Sequence, residues 1–287
     1  MKSLNAVFLL LFSLISSGCI QTIAVSTVGG IVEDGFAGFT RENDLAFAEQ
    51  ALPGNLKLLE VMLENEPDNE KLLRLLSEGY SSYSLGFVED VDQDRARNFY
   101  LRGRDFGFRV LRQDKQFQRA LDGSVDDLRT YFLQLDKDDV PAVFWTAFGW
   151  GSYINLSLTD PNAIAALPRV EAMMRFVAEK DSTFYHGGAY LFLGALYGSR
   201  SKFLGGDPDL AKQYFEKAIR MTGGKFLMIQ VYYARYVAVQ TLDEELFDRL
   251  LAVVETTSID VLPDDRLSNA IAKKKAKHLA QRRNELF

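Results

Sequence analysis

From residue 56 onward, apolar residues recur at intervals of three and four, with charged residues between them. Leu56, Leu59, Met62 and Leu63 begin the pattern, interleaved with Lys57 and Glu60. A helix gathers positions at that period onto one face. The same spacing predicts helices over 71–87, 96–112, 141–158, 162–179, 187–198, 208–221, 226–241 and 243–255. Asp160-Pro161 and Asp207-Pro208 each place an acceptor at the N-cap and a proline at the first helical position. Gly123, Gly205-Gly206 and Gly223-Gly224 read as stops. No run alternates β-branched and polar residues as a half-buried strand would. The expected fold class is all-α.

The helices come in similar pairs. Tyr190, Leu193, Gly194 and Tyr197 precede Ala211, Phe215 and Ala218. This resembles the tetratricopeptide pattern: a small residue where two helices cross, then an Ala-x3-Phe-x2-Ala second helix. The joint from Gly194 to Ala211 is longer than in an ordinary repeat. Leu75, Glu78, Gly79, Ser82, Ala96, Tyr100 and Gly103 repeat both the spacing and the long joint, with Asp92 in the place of Asp207. Trp145, Phe148 and Gly149 with Val170, Met174 and Val177 form a looser pair, as does Ala234 with Leu246, Leu250 and Val253. The architecture expected is a right-handed solenoid of degenerate tetratricopeptide-like helix pairs.

The first 19 residues belong to a different pattern. Lys2 precedes an apolar stretch from Ala6 to Ile15, then Ser16-Ser17-Gly18-Cys19. A single charge, a short apolar core and small residues before a cut make a secretory signal. A cysteine straight after Ser-Ser-Gly resembles a bacterial lipobox, with Ser16 where leucine is usual. An ordinary cut near Gly18, or an uncleaved anchor, are the alternatives; the run is short for a span, which needs about 20 apolar residues. The expected organisation is a lipoprotein signal peptide over 1–18, a lipidated tether over 19–40 and a helical-repeat domain over 41–287. With Cys19 acylated, the chain would be lipid-anchored. No aspartate follows Cys19, which favours the outer membrane, facing the periplasm.

Composition removes several function classes. The formal net charge is −6, which disfavours nucleic acid as a partner. Cys19 is the sole cysteine, and His186 and His278 are the two histidines, too few and too far apart to suggest a metal site, a cofactor or a Ser-His-Asp order. Asp90-x-Asp92-x-Asp94 resembles the start of a calcium loop, but Arg95 stands where glycine is needed and Leu101 where glutamate is needed. The chain is therefore expected not to be an enzyme and to hold no cofactor or metal.

A more specific resemblance comes from Glu42-Asn43-Asp44-Leu45, Ala51-Leu52-Pro53, the Leu56–Glu60 helix, Pro67-Asp68-Asn69, Gly79-Tyr80, Tyr83 and Phe87. His186 to Gly194, Gly205-Gly206-Asp207, Ala211-Lys212, Phe215 to Ala218 and the Lys-Ala-rich end closing on Leu286-Phe287 continue it. These stretches resemble the T component of TRAP transporters, the TatT family. The resemblance implies a periplasmic lipoprotein that associates with a solute-binding protein, forms a homotrimer and carries a pore through each protomer for an organic, partly hydrophobic ligand. The rival reading is a tetratricopeptide-type scaffold for envelope assembly, with a groove for a peptide and no small ligand.

The candidate ligand or pore residues follow from the repeats. Tyr80, Tyr83, Trp145, Trp150, Tyr153, Tyr190, Tyr197, Tyr232, Tyr233 and Tyr236 lie on first helices of pairs, which line the inner surface of such arrays. Aromatics at helical spacing also fill cores, but so many phenols need partners or water. Tyr83, Trp145, Trp150, Tyr153, Tyr197, Tyr233 and Tyr236 are taken as cavity candidates. Arg200 and Arg235 join them as cations that could meet a carboxylate. His186 is expected to cap a helix. The basic terminal helix with Lys273, Lys274, Lys275 and Lys277 is expected to be a solvated cap, or a dock for an acidic partner.

Overall fold

Asp44 caps a long helix, accepting hydrogen bonds from the amides of Ala46 and Phe47. This helix, α1 (Leu45–Asn65), runs through Pro53. A proline inside a helix costs about 3 kcal/mol by removing one bond and crowding a carbonyl. Burial of Leu52, Leu56, Leu59, Met62 and Leu63 along one face offsets it, at about 1.5–3 kcal/mol for each large side chain. The structure, a computed structural model, describes residues 38–287. Cys19, the signal segment 1–18 and most of the 19–40 tether lie outside the described residues.

The helix α2 (Glu70–Tyr83) continues through a π-turn at Ser84–Val88, and α3 (Gln93–Leu111) starts on Asp92, which accepts from the Arg95 amide. Two short helices then appear that the apolar period does not announce: α4 (Lys115–Asp122) and α5 (Val125–Phe132). At eight residues each they hold barely two turns, too few to establish a period. Their caps are clear: Asp114, then a reciprocal pair between Ser124 and Asp127.

The expected 162–179 helix is broken in two. Asp160 does cap α7 (Pro161–Ile164), which follows α6 (Val140–Asn155), but the helix restarts as α8 (Leu167–Lys180). Pro168 has no amide to offer Ile164, so the turn cannot continue. Next come α9 (Phe184–Gly198), a 3-10 turn at Lys202–Leu204, and α10 (Pro208–Thr222), capped by Asp207 and ended by the left-handed Gly223. Gly205 ends the 3-10 turn rather than an α-helix. The chain closes with α11 (Met228–Tyr233), a second π-turn at Ala234–Ala238, α12 (Glu244–Thr256), α13 (Arg266–Gln281) and α14 (Arg283–Leu286). No strand occurs among the described residues.

Helices pack on their neighbours along the chain: α1 on α2, α2 on α3, α3 on α6, α6 on α8, α8 on α9, α9 on α10, and so to α13. The two best-matched pairs bury the same places. Ala96 and Tyr100 in one, Ala211 and Phe215 in the other, have no exposed surface. Small residues set the crossings. A Cβ on Gly149 would lie 2.9 Å from the Tyr100 carbonyl oxygen, so α6 and α3 touch backbone to backbone.

The last helices return to the second. Lys275 on α13 reaches Asp90 at 2.7 Å, and Arg235 reaches Glu89 at 3.3 Å, pairs separated by 185 and 146 positions in sequence. The expectation of a solvated basic cap holds at Lys274 and Lys277, which are exposed, and fails at Lys275. Lys275 is buried between α13 and the end of α2, and the Lys274 ammonium lies over the Phe87 ring. The basic pattern looked like a surface because the sequence alone does not show that α13 folds back onto α2.

Candidate functional site

Three helices, α6, α9 and α11, line a mainly apolar chamber. Phe148, Ile154, Leu191, Phe192 and Leu196 form its walls, with the Phe148 and Phe192 rings 6.3 Å apart. Gly151 gives the Phe192 ring its place, since a Cβ there would collide with it. Polar groups are few: Ser152, Asn155, Ser199, Arg200, Glu89 and the phenols of Tyr232 and Tyr236. The cavity measures about 40 Å³, room for about three waters.

Arg200 stands at the rim. Its Nε donates to the Leu196 carbonyl at 2.9 Å and its Nη1 to the Leu204 carbonyl at 3.3 Å. Burial pulls its pKa below the usual arginine value, with Glu171 and Tyr197 acting against that. The guanidinium thus holds the Lys202–Leu204 turn to the rim through carbonyls, with no carboxylate bound to it. The turn presents Phe203, 95% exposed, beside Leu204. Such a cation at the edge of an apolar chamber can take a carboxylate in two parallel bonds.

Of the sequence candidates, the structure brings Arg200 and Tyr236 into this chamber. The Tyr236 hydroxyl accepts from Asn155 Nδ2 at 3.0 Å. Arg235 is one residue away but faces the opposite side, paired with Glu89. The other candidates lie elsewhere. Tyr83 packs among Phe87 and Phe99, and Trp145 is buried against Phe144, Phe148 and Tyr185. Trp150 is half-buried against Phe108, and Tyr153 is half-buried outside the chamber lining. Tyr233 stacks on Phe215 at 5.3 Å, and burial with the nearby Glu216 pushes its hydroxyl up to about 12. Tyr197 belongs to a polar network on the other side of α9, donating to Glu171 at 2.7 Å and accepting from Arg175 at 3.0 Å.

His186 does not cap its helix. Its Nε2 lies 3.0 Å from Asp265 Oδ2, its ring lies against Phe226, and it sits in a left-handed turn with Tyr185 and Gly187. Two non-glycine residues in that region carry strain of about 1–3 kcal/mol each. The half-buried Tyr185 ring, wedged against Trp145 at 4.8 Å, holds the turn in place. The aspartates of the calcium-like run are all occupied: Asp90 with Lys275, Asp92 as the cap of α3, Asp94 with Arg97.

Sequence reasoning passed over Glu89, Phe148, Phe192 and Asn155. Phe148 and Phe192 carry the helical period, but a phenylalanine offers no polar handle to mark a cavity. Glu89 follows a helix and reads as surface. It is 6% exposed, accepting from the Tyr100 hydroxyl at 2.5 Å. Burial, then the Glu89 charge, push the Tyr100 hydroxyl well above its ordinary value.

A family model described as TAtT, TRAP transporter T-component, matches residues 41–287. An uncharacterised protein of Treponema pallidum (strain Nichols) is 22% identical over 268 residues, covering 87% of this chain and 82% of its own length.

Proposed function

We propose, from the fact that this chain belongs to the TRAP transporter T-component family, that it is the lipid-anchored partner of a solute-binding protein and contacts that protein's ligand. The family is one of transporter components, not of enzymes. The chain works with a TRAP transport system on the periplasmic side of the outer membrane, held there through Cys19, as a homotrimer of degenerate tetratricopeptide-like helix pairs forming right-handed solenoids. No helix among the described residues is long and apolar enough to cross a membrane. An anchor at Cys19 is consistent with that.

The observation that carries the reading is the rim of the chamber. An apolar cavity, a cation free of carboxylate and an exposed phenylalanine come together within five residues of sequence, Arg200 to Leu204. A phenylalanine left in water forgoes about 1.5–3 kcal/mol of burial. A docking protein would recover that burial, and its ligand would then face Arg200. The ligand class is an organic anion with an apolar body: the walls suit the body and Arg200 suits the charge.

The test is co-purification from native membranes in mild detergent, with identification of retained proteins and small molecules. A solute-binding protein is expected with the wild-type chain. Phe203→Asp should cut its recovery at least tenfold while the melting temperature stays within about 2 °C, because the side chain is solvent-facing. Recovery of envelope-assembly proteins instead, with no small ligand, would favour the scaffold reading.

A further inference from the structure

The chamber has a second side. A polar cavity of about 90 Å³ opens against α13, walled by Asp90, Arg235, Lys275 and His278. Glu89 and Tyr232 line both cavities, so they form the wall between them. That wall lies on the seam where the two ends of the helix array meet. Glu89 and Asp90 come from the end of α2, Tyr232 and Arg235 from α11, and Lys275 from α13.

Both sides of the seam are built on π-turns. Ser84–Val88 runs into Glu89, whose amide donates to the Ser84 carbonyl at 2.9 Å. Ala234–Ala238 carries Arg235 itself. A π-turn is one extra residue in the helix, which rotates the downstream side chains by about 100°. The two π-turns among the described residues thus lead to one ion pair, Arg235 Nη1 to Glu89 Oε1 at 3.3 Å. Lys275 Nζ adds a contact to Glu89 at 3.7 Å and to Asp90 at 2.7 Å.

Stability alone is a poor reason for such a seam. Apolar residues of similar volume often serve as well as or better than a buried ion pair. The two kinds of seam differ in what happens on opening. An apolar seam loses about 25 cal/mol for every Å² exposed. Charged groups exchange their partners for water, which returns much of the lost interaction. At about 40 Å³ the chamber is also too small for an organic anion of the class proposed above, so its occupation requires the walls to move.

We propose that the Glu89–Arg235–Lys275 cluster is a gate between the two cavities, opened when the π-turn segments of α2 and α11 separate. It rests on the reading that the chamber takes a ligand, and it names the part of the protein that admits one. The two segments, far apart in sequence, should then open as one unit.

Hydrogen–deuterium exchange of the full-length chain in detergent tests this with neither ligand nor partner, so its failure leaves the transport reading standing. In the wild type, residues 84–91 and 231–241 should exchange at a common rate faster than α8. Arg235→Met should speed both segments at least tenfold and leave α1 and α8 unchanged, with Arg235→Lys in between. An increase confined to 231–241 would show that the two sides open independently, and would overturn the gate. So would no change in either segment, or equal acceleration everywhere, which would make the cluster a stability element. If Arg235→Met does not fold, Lys275→Met and the wild-type comparison decide between the same outcomes.

Discussion

Gly107→Val is expected to abolish the folded state. Three helices, α2, α3 and α6, meet at this position. A Cβ on Gly107 would collide with Thr146 Oγ1 and lie 2.9 Å from Ser77 Oγ. Thr146 is fully buried and its hydroxyl already donates to the Ala142 carbonyl at 2.6 Å, so turning it aside orphans a buried donor. Overpacking costs about 1–3 kcal/mol for small insertions, and valine adds three carbons. The sum is a large share of a typical stability of about 5–15 kcal/mol. Circular dichroism and thermal melting are the measurements, and a melting temperature within about 2 °C of wild type would refute the close crossing. Gly54→Ala is the matched control. It sits inside α1 with open space around it, and should stabilise by about 0.5–1 kcal/mol.

Arg200→Gln is expected to lower affinity for a long-chain carboxylate by about ten- to a hundredfold. A hydrogen bond to a charged group contributes about 1.5–3 kcal/mol when its partner is fully engaged. Dodecanoate is a suitable probe and dodecyltrimethylammonium its opposite-charge control, both measured by calorimetry below their micelle concentrations. The wild type should bind the anion and reject the cation. Ala195→Val, which adds two methyl groups beside Phe192 and Leu196 in the lining, should weaken binding of the anion at least tenfold while the protein still melts cooperatively. Equal binding of both probes, or no effect of Arg200→Gln, would remove the anion from the proposed ligand class.

The helices were legible because they depend on neighbours three and four residues away. The caps at Asp92, Asp160 and Asp207 are each visible in the sequence and each accept backbone amides in the structure. Of the residues quoted for the two best-matched pairs, Ala96, Tyr100, Ala211 and Phe215 are all fully buried. The features that failed to show were short or dependent on one residue. α4 and α5 are too brief for a period, and the break before α8 rests on Pro168 alone.

The site was only partly legible. Aromatic residues at helical spacing all carry the same local signal, whether they face the core, a network or a cavity. Tyr236 turns into the chamber, while Tyr233, three residues earlier on the same helix, stacks on Phe215. The π-turn that begins at Ala234 changes the register between them, and no composition rule marks a π-turn.

The sequence by itself determined that the chain is helical and where most helices start, because both rest on local spacing, and its motifs already resembled the family whose model matches residues 41–287. Tertiary structure alone decided that α13 returns to α2, that Lys275 and Glu89 are buried partners, and that Arg200 stands at an apolar chamber with its guanidinium bonded to carbonyls. The physical reason is range. A helix is stabilised by bonds four residues long, whereas the seam and the chamber are made by groups 146 and 185 positions apart, whose meeting depends on the summed crossing angles of every helix between them.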